Sequence, residues 1–320
     1  MAPIGVLRLD RVPAARLAAM SRGALDRTLR QPAELVLATL SDEAVVLGAL
    51  QRASEITGEL DASLPLLRRG SCGAEVHVGP GTLWMQLALE RCDALVACEP
   101  SRLLNRYVRP VLRALTKVGA LARYFDRDWI SVAKRPIGLV AFSHDAGTGR
   151  ALVEVVIASG TPFALRERPS YLGKPAATLA ELGIDLDLPR LGDGIAEAHA
   201  AAYGSTLVEL PLDAWSPTPA EEDPRSELPW AATRDEAIGV VAAGRDREGR
   251  MRVGGELMAS RDAIARLERE IALAAGDALQ LDRAVDTLAA EGVAMLGVRD
   301  LRSIRDVIAD ALGRAATQVV

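Results

Sequence analysis

Short apolar runs of strand length, broken by glycine, proline and aspartate, dominate the first two thirds of the chain, and stretches of helical period are interleaved with them. From Pro13, PAARLAAMSRGALDRTLR places Leu17, Met20, Leu25 and Leu29 near helical spacing with proline in the first turn, which predicts a helix. The runs at 35–40, 44–50, 64–69, 75–78 and 82–90 predict a meander of strands. Ser101 can cap a following helix, RLLNRYVRPVLRALTKVG, which Pro110 should kink and Gly119 should end. DWISVAK, IGLVAFSHD and RALVEVVIA predict neighbouring strands of a second sheet region, the last two joined by the turn DAGTG at 145–149. Helical stretches near 176–183 and 194–203 and a strand STLVELPL complete this part.

The pattern then lapses. SPTPAEEDPRSELP at 216–229 offers too little apolar surface to pack and is expected to be a linker. Beyond it, EAIGVVAAG and MRVGGELMAS frame the turn RDREGR, and three helical stretches follow, the first two with Ser260 and Asp282 near their starts. The expected fold class is α+β, with a large domain over 1–215, a linker over 216–229 and a small domain over 230–320.

Composition narrows the function classes. With 49% apolar and 25% charged residues the chain can bury a core. A net charge of −5 gives no basic surface for nucleic acid. Cys72, Cys92 and Cys98 are too few and too irregularly spaced for a disulfide framework or a paired metal motif, and no metal site is expected. No leader pattern and no membrane-spanning run is read, so a cytoplasmic protein without membrane association is expected. Glu154, Asp185 and Asp187 read as surface charges, and His199, in an Ala-rich helix, as solvent-facing. His77 and His144 could serve as bases or hydrogen-bond donors, though strand histidines are more often structural.

The segment most suggestive of chemistry is LLRRGSCGAEVHVGPGTLWMQLAL at 66–89. Arg68 and Arg69 precede a loop with Gly70, Ser71 and Gly73, and Gly79 and Gly81 follow. Glycines let backbone N–H groups approach an anion, and a guanidinium can bind a phosphate or carboxylate in bidentate fashion. The same pattern also suits an ordinary hairpin. Cys72 beside the two arginines could be an activated thiolate or an inert buried thiol.

This string resembles the signature loop of the lipoate-protein ligase A family, within the biotin/lipoate A/B protein ligase superfamily. EAVVLGALQRASEI upstream, RDWISVAKRPIGLVAFSHD and PSYLGKPAATLAELG downstream, and the tail from IGVVAAG onward are similar to further segments of that family in the same order. The resemblance implies a ligase-like catalytic domain with a C-terminal accessory domain. It implies activation of lipoate or octanoate by ATP to an acyl-adenylate, with the use of Mg2+ left open, and transfer to a lysine of a lipoyl-domain acceptor. On that basis Arg68, Arg69, Gly70, Ser71, Cys72, Gly73 and His77 would bind the activated acyl group, and Asp128 the adenylate. Lys134, with Arg135 as its rival, would be the catalytic cation.

The chain differs from the pattern in several places. Ser71-Cys72-Gly73 stands where the family has consecutive glycines, Glu75 brings a negative charge, and Arg127 replaces an Asn. Val78 takes the place of the family His, leaving His77 one position early. Lys134 lies four residues before Gly138 rather than three, the spacing that Arg135 has. Two functions therefore stand side by side: an ATP-dependent lipoate or octanoate ligase, and a catalytically degenerate ligase-like protein that binds an acyl group, a nucleotide or an acceptor protein.

Overall fold

The computed structural model describes residues 2–56, 61–219, 222–274, 277–290 and 295–317. Its largest sheet has eight strands, in the spatial order Leu207–Glu209, Ile4–Val12, Ala33–Leu40, Thr82–Leu89, Ala151–Ala158, Arg135–His144, Trp129–Val132, Ala122–Tyr124. Ile4–Val12 runs parallel to both of its neighbours, and the remaining pairs are antiparallel. Ala33–Leu40, Thr82–Leu89 and Ala151–Ala158 are buried at every position. Strands covered on both faces lose the polar alternation of a half-exposed sheet, which is why they read as near-continuous apolar runs.

Trp84, Gln86 and Glu154 share one face by register. Helix Ala14–Arg22 lies over that face, where Gln86 Nε2 donates to Leu17 O at 2.9 Å. Helix Leu188–Tyr203 covers the opposite face, where Gly192 packs on Leu37 and Leu83.

The expected single meander is instead divided between two sheets. Leu66–Arg68, Ala44–Leu47 and Val76–Val78 form a separate three-stranded sheet, while 33–40 and 82–89 join the large one. The predicted helix at 102–119 is broken into Leu103–Tyr107 and Arg109–Lys117 just ahead of Pro110. Near 176–183 there is only a 3₁₀ turn, Ala180–Leu182. The DAGTG turn forms as expected, with Asp145 N donating to Arg150 O at 2.9 Å and Gly149 at φ +77°.

Toward the C-terminus, Ala232–Asp235, Val240–Arg245 and Met251–Gly255 form an antiparallel sheet. Helices Arg261–Ala274, Ala278–Ala290 and Arg302–Thr317 follow, and this part has its own core around Val241, Val253, Leu267 and Val307. Asp277, not Asp282, caps the second of these helices, accepting from Leu279 N at 2.8 Å.

The two bodies are joined tightly. Met258 enters the larger core, and Ser260 bridges to His144 at the end of a sheet strand. The segment 216–229, of which Ala220 and Glu221 lie outside the described residues, is also held against the first body. Thr218 Oγ1 donates to Ala19 O at 2.8 Å, Arg225 to Leu64 O at 2.6 Å, and Pro224 is buried. The expectation that this stretch packs too poorly to be held is therefore corrected, because polar bonds anchor a segment that apolar content alone would leave loose.

Candidate functional site

The loop after strand Leu66–Arg68 carries the amides and guanidinium groups that its sequence predicts would meet an anion. Each is instead committed to the protein. Gly70 N donates to Ser21 Oγ at 2.7 Å, Ser71 N to Glu154 Oε2 at 3.2 Å, Cys72 N to Phe142 O at 3.0 Å and Gly73 N to Leu257 O at 3.2 Å. Arg69 is fully buried, and its guanidinium donates to Ser71 Oγ, Val46 O, Cys72 O and Ala74 O at 2.7–3.2 Å. Burial, partly offset by Glu154, lowers its pKa to about 10. It remains a cation, spent on shaping the loop.

Glu154 is not the surface charge its sequence context suggests. It is 0% exposed and accepts from Ser71 N, from Ser21 Oγ at 2.9 Å and from Trp84 Nε1 at 2.8 Å. The loop thus encloses a carboxylate of its own chain where an external anion was anticipated.

Arg68 is equally engaged, paired with Glu227 through two 2.8 Å contacts and donating to Gly48 O and Gln51 O. Cys72 is fully buried with Sγ 3.5 Å from Ala259 O, and burial raises its thiol pKa, so it is not an activated thiolate. Gly73, at φ +90°, supplies the turn that lets its carbonyl pass against Gly48, where a Cβ would lie 1.8 Å from Gly73 O. His77 lies on strand Val76–Val78 with Nε2 3.5 Å from Glu43.

Lys134 is not on a strand. Ala133 and Lys134, both at positive φ (48° and 65°), form a two-residue turn between Val132 and Arg135, the geometry of a tight hairpin. Its side chain is therefore exposed at a tip. Arg135 donates to Pro175 O at 3.2 Å and Ala176 O at 2.6 Å. Neither residue lines the cleft beside Arg68. Asp128 is buried, with Oδ2 2.6 Å from Arg168 Nη1. The described residues contain no group of three or more His, Cys, Asp or Glu able to hold a metal ion. As arranged, the loop amides, the Arg69 guanidinium and the Asp128 carboxylate are turned to partners within the protein.

A charge cluster that the sequence reading missed lies between the bodies. Arg168 joins Asp128 to Glu256 (2.6 and 2.8 Å) and donates to Ile238 O at 2.8 Å. Arg166 joins Glu75 to Glu256. Burial alone would lower the Arg168 pKa, but Asp128 and Glu256 reverse the shift and hold it well above the ordinary value. Burial also raises Glu256, while at Glu75 the nearby Arg168 and Arg166 outweigh burial and lower the pKa. Isolated motif matching cannot find this cluster, because its members are scattered from 75 to 256. The local signals are Glu75, just ahead of the apolar strand Val76–Val78, and Asp128, which the resemblance places at the adenylate.

Glu55 borders the cluster. It accepts from Arg52 N at 2.8 Å and Trp230 Nε1 at 2.6 Å, and burial raises its pKa to about 7, aided by Glu256 and Glu75. A carboxylate whose folded pKa lies above its unfolded value stabilises the fold fully below the unfolded pKa, and that stability is lost as pH rises through the folded value. Stability should therefore fall between pH 5 and 8 by on the order of 2 kcal/mol more in wild type than in Glu55→Gln. Urea titrations at several pH values check this, and parallel curves for the two proteins would refute it.

His199, expected to face solvent, is fully buried where helix Leu188–Tyr203 packs on Arg109–Lys117. Its Nδ1 lies 2.8 Å from Ile195 O, and burial lowers its pKa to about 4.

Between the bodies lies an open cleft of about 520 Å³. Arg52, Arg68, Arg250, Arg252 and Arg261 line it with Trp230, against acids that include Asp246 and Glu268. Arg52 stacks on the Trp230 ring at 3.8 Å, and Arg252 pairs with Asp246 and Glu268. Arg261 makes no hydrogen bond or ion pair among the described residues, and its side chain is exposed.

No protein-family model and no curated protein matches the sequence. Solved structures do match. P. falciparum LipL1 in complex with lipoate aligns at 12% identity over 96% of this chain and 99% of its own, with a TM-score of 0.63. A lipoate-protein ligase A bound with ATP aligns at 13% identity over 66% of this chain and 90% of its own (TM-score 0.51). The bi-partite lipoate protein ligase of Thermoplasma acidophilum aligns at 13% identity over 66% and 88% (TM-score 0.50). Mixed sheets flanked by helices, and the match to LipL1 over nearly the whole length of both chains, give this α+β chain the fold of the lipoate-protein ligases.

Proposed function

We propose that the chain is a ligase-fold binding protein that does not adenylate acids, and that it takes an anionic ligand of nucleotide or organic-phosphate type in the cleft between its two bodies. The observation that carries this reading is the closed loop. All four amides from Gly70 to Gly73 and every polar nitrogen of the Arg69 guanidinium have acceptors within the protein, with Glu154 in the anion's place. An adenylating site needs such donors free, since the phosphate and the developing oxyanion must both be met. The cleft supports the binding half of the reading: its volume suits a small molecule, the Arg52–Trp230 stack forms part of its wall, and Arg261 has no ion pair among the described residues.

A second reading is favoured by the near full-length likeness to LipL1, which includes the C-terminal body. On that reading the chain is an ATP-dependent ligase transferring lipoate or octanoate to a lipoyl domain, and the closed loop opens on binding.

Two measurements separate the readings. Purified protein with ATP, Mg2+ and fatty acids of six to twelve carbons, or lipoate, should give no acid-dependent pyrophosphate exchange. Calorimetric titration with AMP, ATP and pyrophosphate should show binding that Arg261→Ala weakens by about tenfold, the scale of one charge-assisted contact. Acid-dependent exchange would overturn the proposal in favour of the ligase. Absence of both exchange and binding would remove the cleft from the account.

A further inference from the structure

Among the 38 Lys and Arg residues only three are lysines, Lys117, Lys134 and Lys174, and all three flank the last two strands at one edge of the eight-stranded sheet, Trp129–Val132 and Ala122–Tyr124. Lys117 ends the helix that leads into the edge strand Ala122–Tyr124. Lys134 occupies the turn after Trp129–Val132, and Val132 is in register with Ala122. The Lys174 ammonium stands 5.3 Å from the Trp129 ring centroid and 5.8 Å from that of Phe125. None of the three forms an ion pair among the described residues, whereas arginines supply nearly all the fixed pairs elsewhere.

Large apolar side chains lie uncovered beside them: Leu121 and Leu172 are each 59% exposed and Phe125 53%. Of the nearby acids, Glu181 pairs with Arg135, and Asp126 accepts a hydrogen bond from the uncharged Asn105 amide. Lysines on an edge strand can serve simply to prevent strand-to-strand association, but that role does not call for exposed phenylalanine and leucines among them. An apolar centre with a charged rim is the anatomy of an interface. Ammonium groups on flexible stems suit carboxylates whose positions are not fixed in advance, where a guanidinium would demand a set geometry. Ala122–Tyr124 is also the terminal strand of the sheet, the position at which an incoming strand can add.

We propose that this edge is a docking surface for a partner protein that presents acidic side chains around an apolar contact. None of Lys117, Lys134, Lys174 and Phe125 lines the interbody cleft, so the proposal is independent of the ligand there.

The probe is a fluorescently labelled copolymer of glutamate and tyrosine, titrated with full-length protein and followed by anisotropy. Binding should weaken by about tenfold or more in the triple variant Lys117→Glu, Lys134→Glu, Lys174→Glu, and severalfold in Phe125→Ser. It should also weaken with added salt, as exposed charges are screened. Homopolymeric glutamate should bind more weakly than the copolymer. Thermal melts that match wild type establish that the variants fold. Should the triple variant not fold, Lys134→Glu, at an exposed turn, carries the test alone, with a severalfold loss expected. The proposal is overturned if the copolymer does not bind, if the variants bind it unchanged, or if duplex DNA displaces it at equal charge. It is equally overturned if Phe125→Ser abolishes a self-association of the protein, since a second copy would then be the occupant.

Discussion

Glu154→Ala is expected to destabilise the protein by about 3–5 kcal/mol, a large share of a typical folding free energy. Its carboxylate holds three buried donors, Ser71 N, Ser21 Oγ and Trp84 Nε1, none of which can turn to water. Removing it leaves each unsatisfied and deprives the buried Arg69 of a compensating charge. Glu154→Gln keeps the volume and one acceptor and should cost about half as much. Because the side chain takes an anion's place against the loop, millimolar formate should restore part of the lost melting temperature in Glu154→Ala and leave wild type unchanged. Guanidinium titrations placing Glu154→Ala within 1 kcal/mol of wild type, the scale of an ordinary surface substitution, would contradict the closed-loop account.

Arg168→Met should be comparably severe and should change the form of the transition as well as its midpoint. Breaking a buried pair by removing one partner typically costs about 3–5 kcal/mol. Here one guanidinium answers Asp128 on one body and Glu256 on the other, and its loss leaves Asp128, Glu75 and Glu256 without it. Since Ile238 and Glu256 belong to the C-terminal body, the variant should melt in two steps where wild type melts in one. Adding Glu256→Gln should recover part of the loss. A single unchanged transition would mean that Met258 and the backbone bridge from His144 to Ser260 hold the bodies together without the ions.

Much of the scaffold was legible in the order of residues. The DAGTG turn, the break at Pro110 and the near-continuous apolar strands follow from local rules: a glycine at positive φ, a missing N–H, and burial on both faces. The likeness of the 66–89 segment and of the tail to lipoate-protein ligase A pointed to the fold that the solved structures share. Other elements could not be read locally. Ile4–Val12 finds its place only by parallel pairing with strands that begin 29 and 203 positions later. Strands 44–47, 66–68 and 76–78 stay out of the main sheet because 44–47 takes the other two as its partners.

The site divides in the same way. The sequence by itself determined that arginines, glycines and a cysteine meet in one loop, since they are neighbours in the chain. Whether those groups are free was decided only by tertiary structure. Glu154, 83 positions beyond Ser71, enters the loop from a central strand, and Leu257 and Ala259 close it from the other body. Lys134 shows the same limit on a smaller scale: a shift of two residues from strand to turn moves its ammonium from a sheet face to solvent. Hydrogen-bond donors are fixed by the sequence, but their acceptors are chosen by packing, and a buried donor is spent on whichever acceptor the fold brings within 3 Å or so.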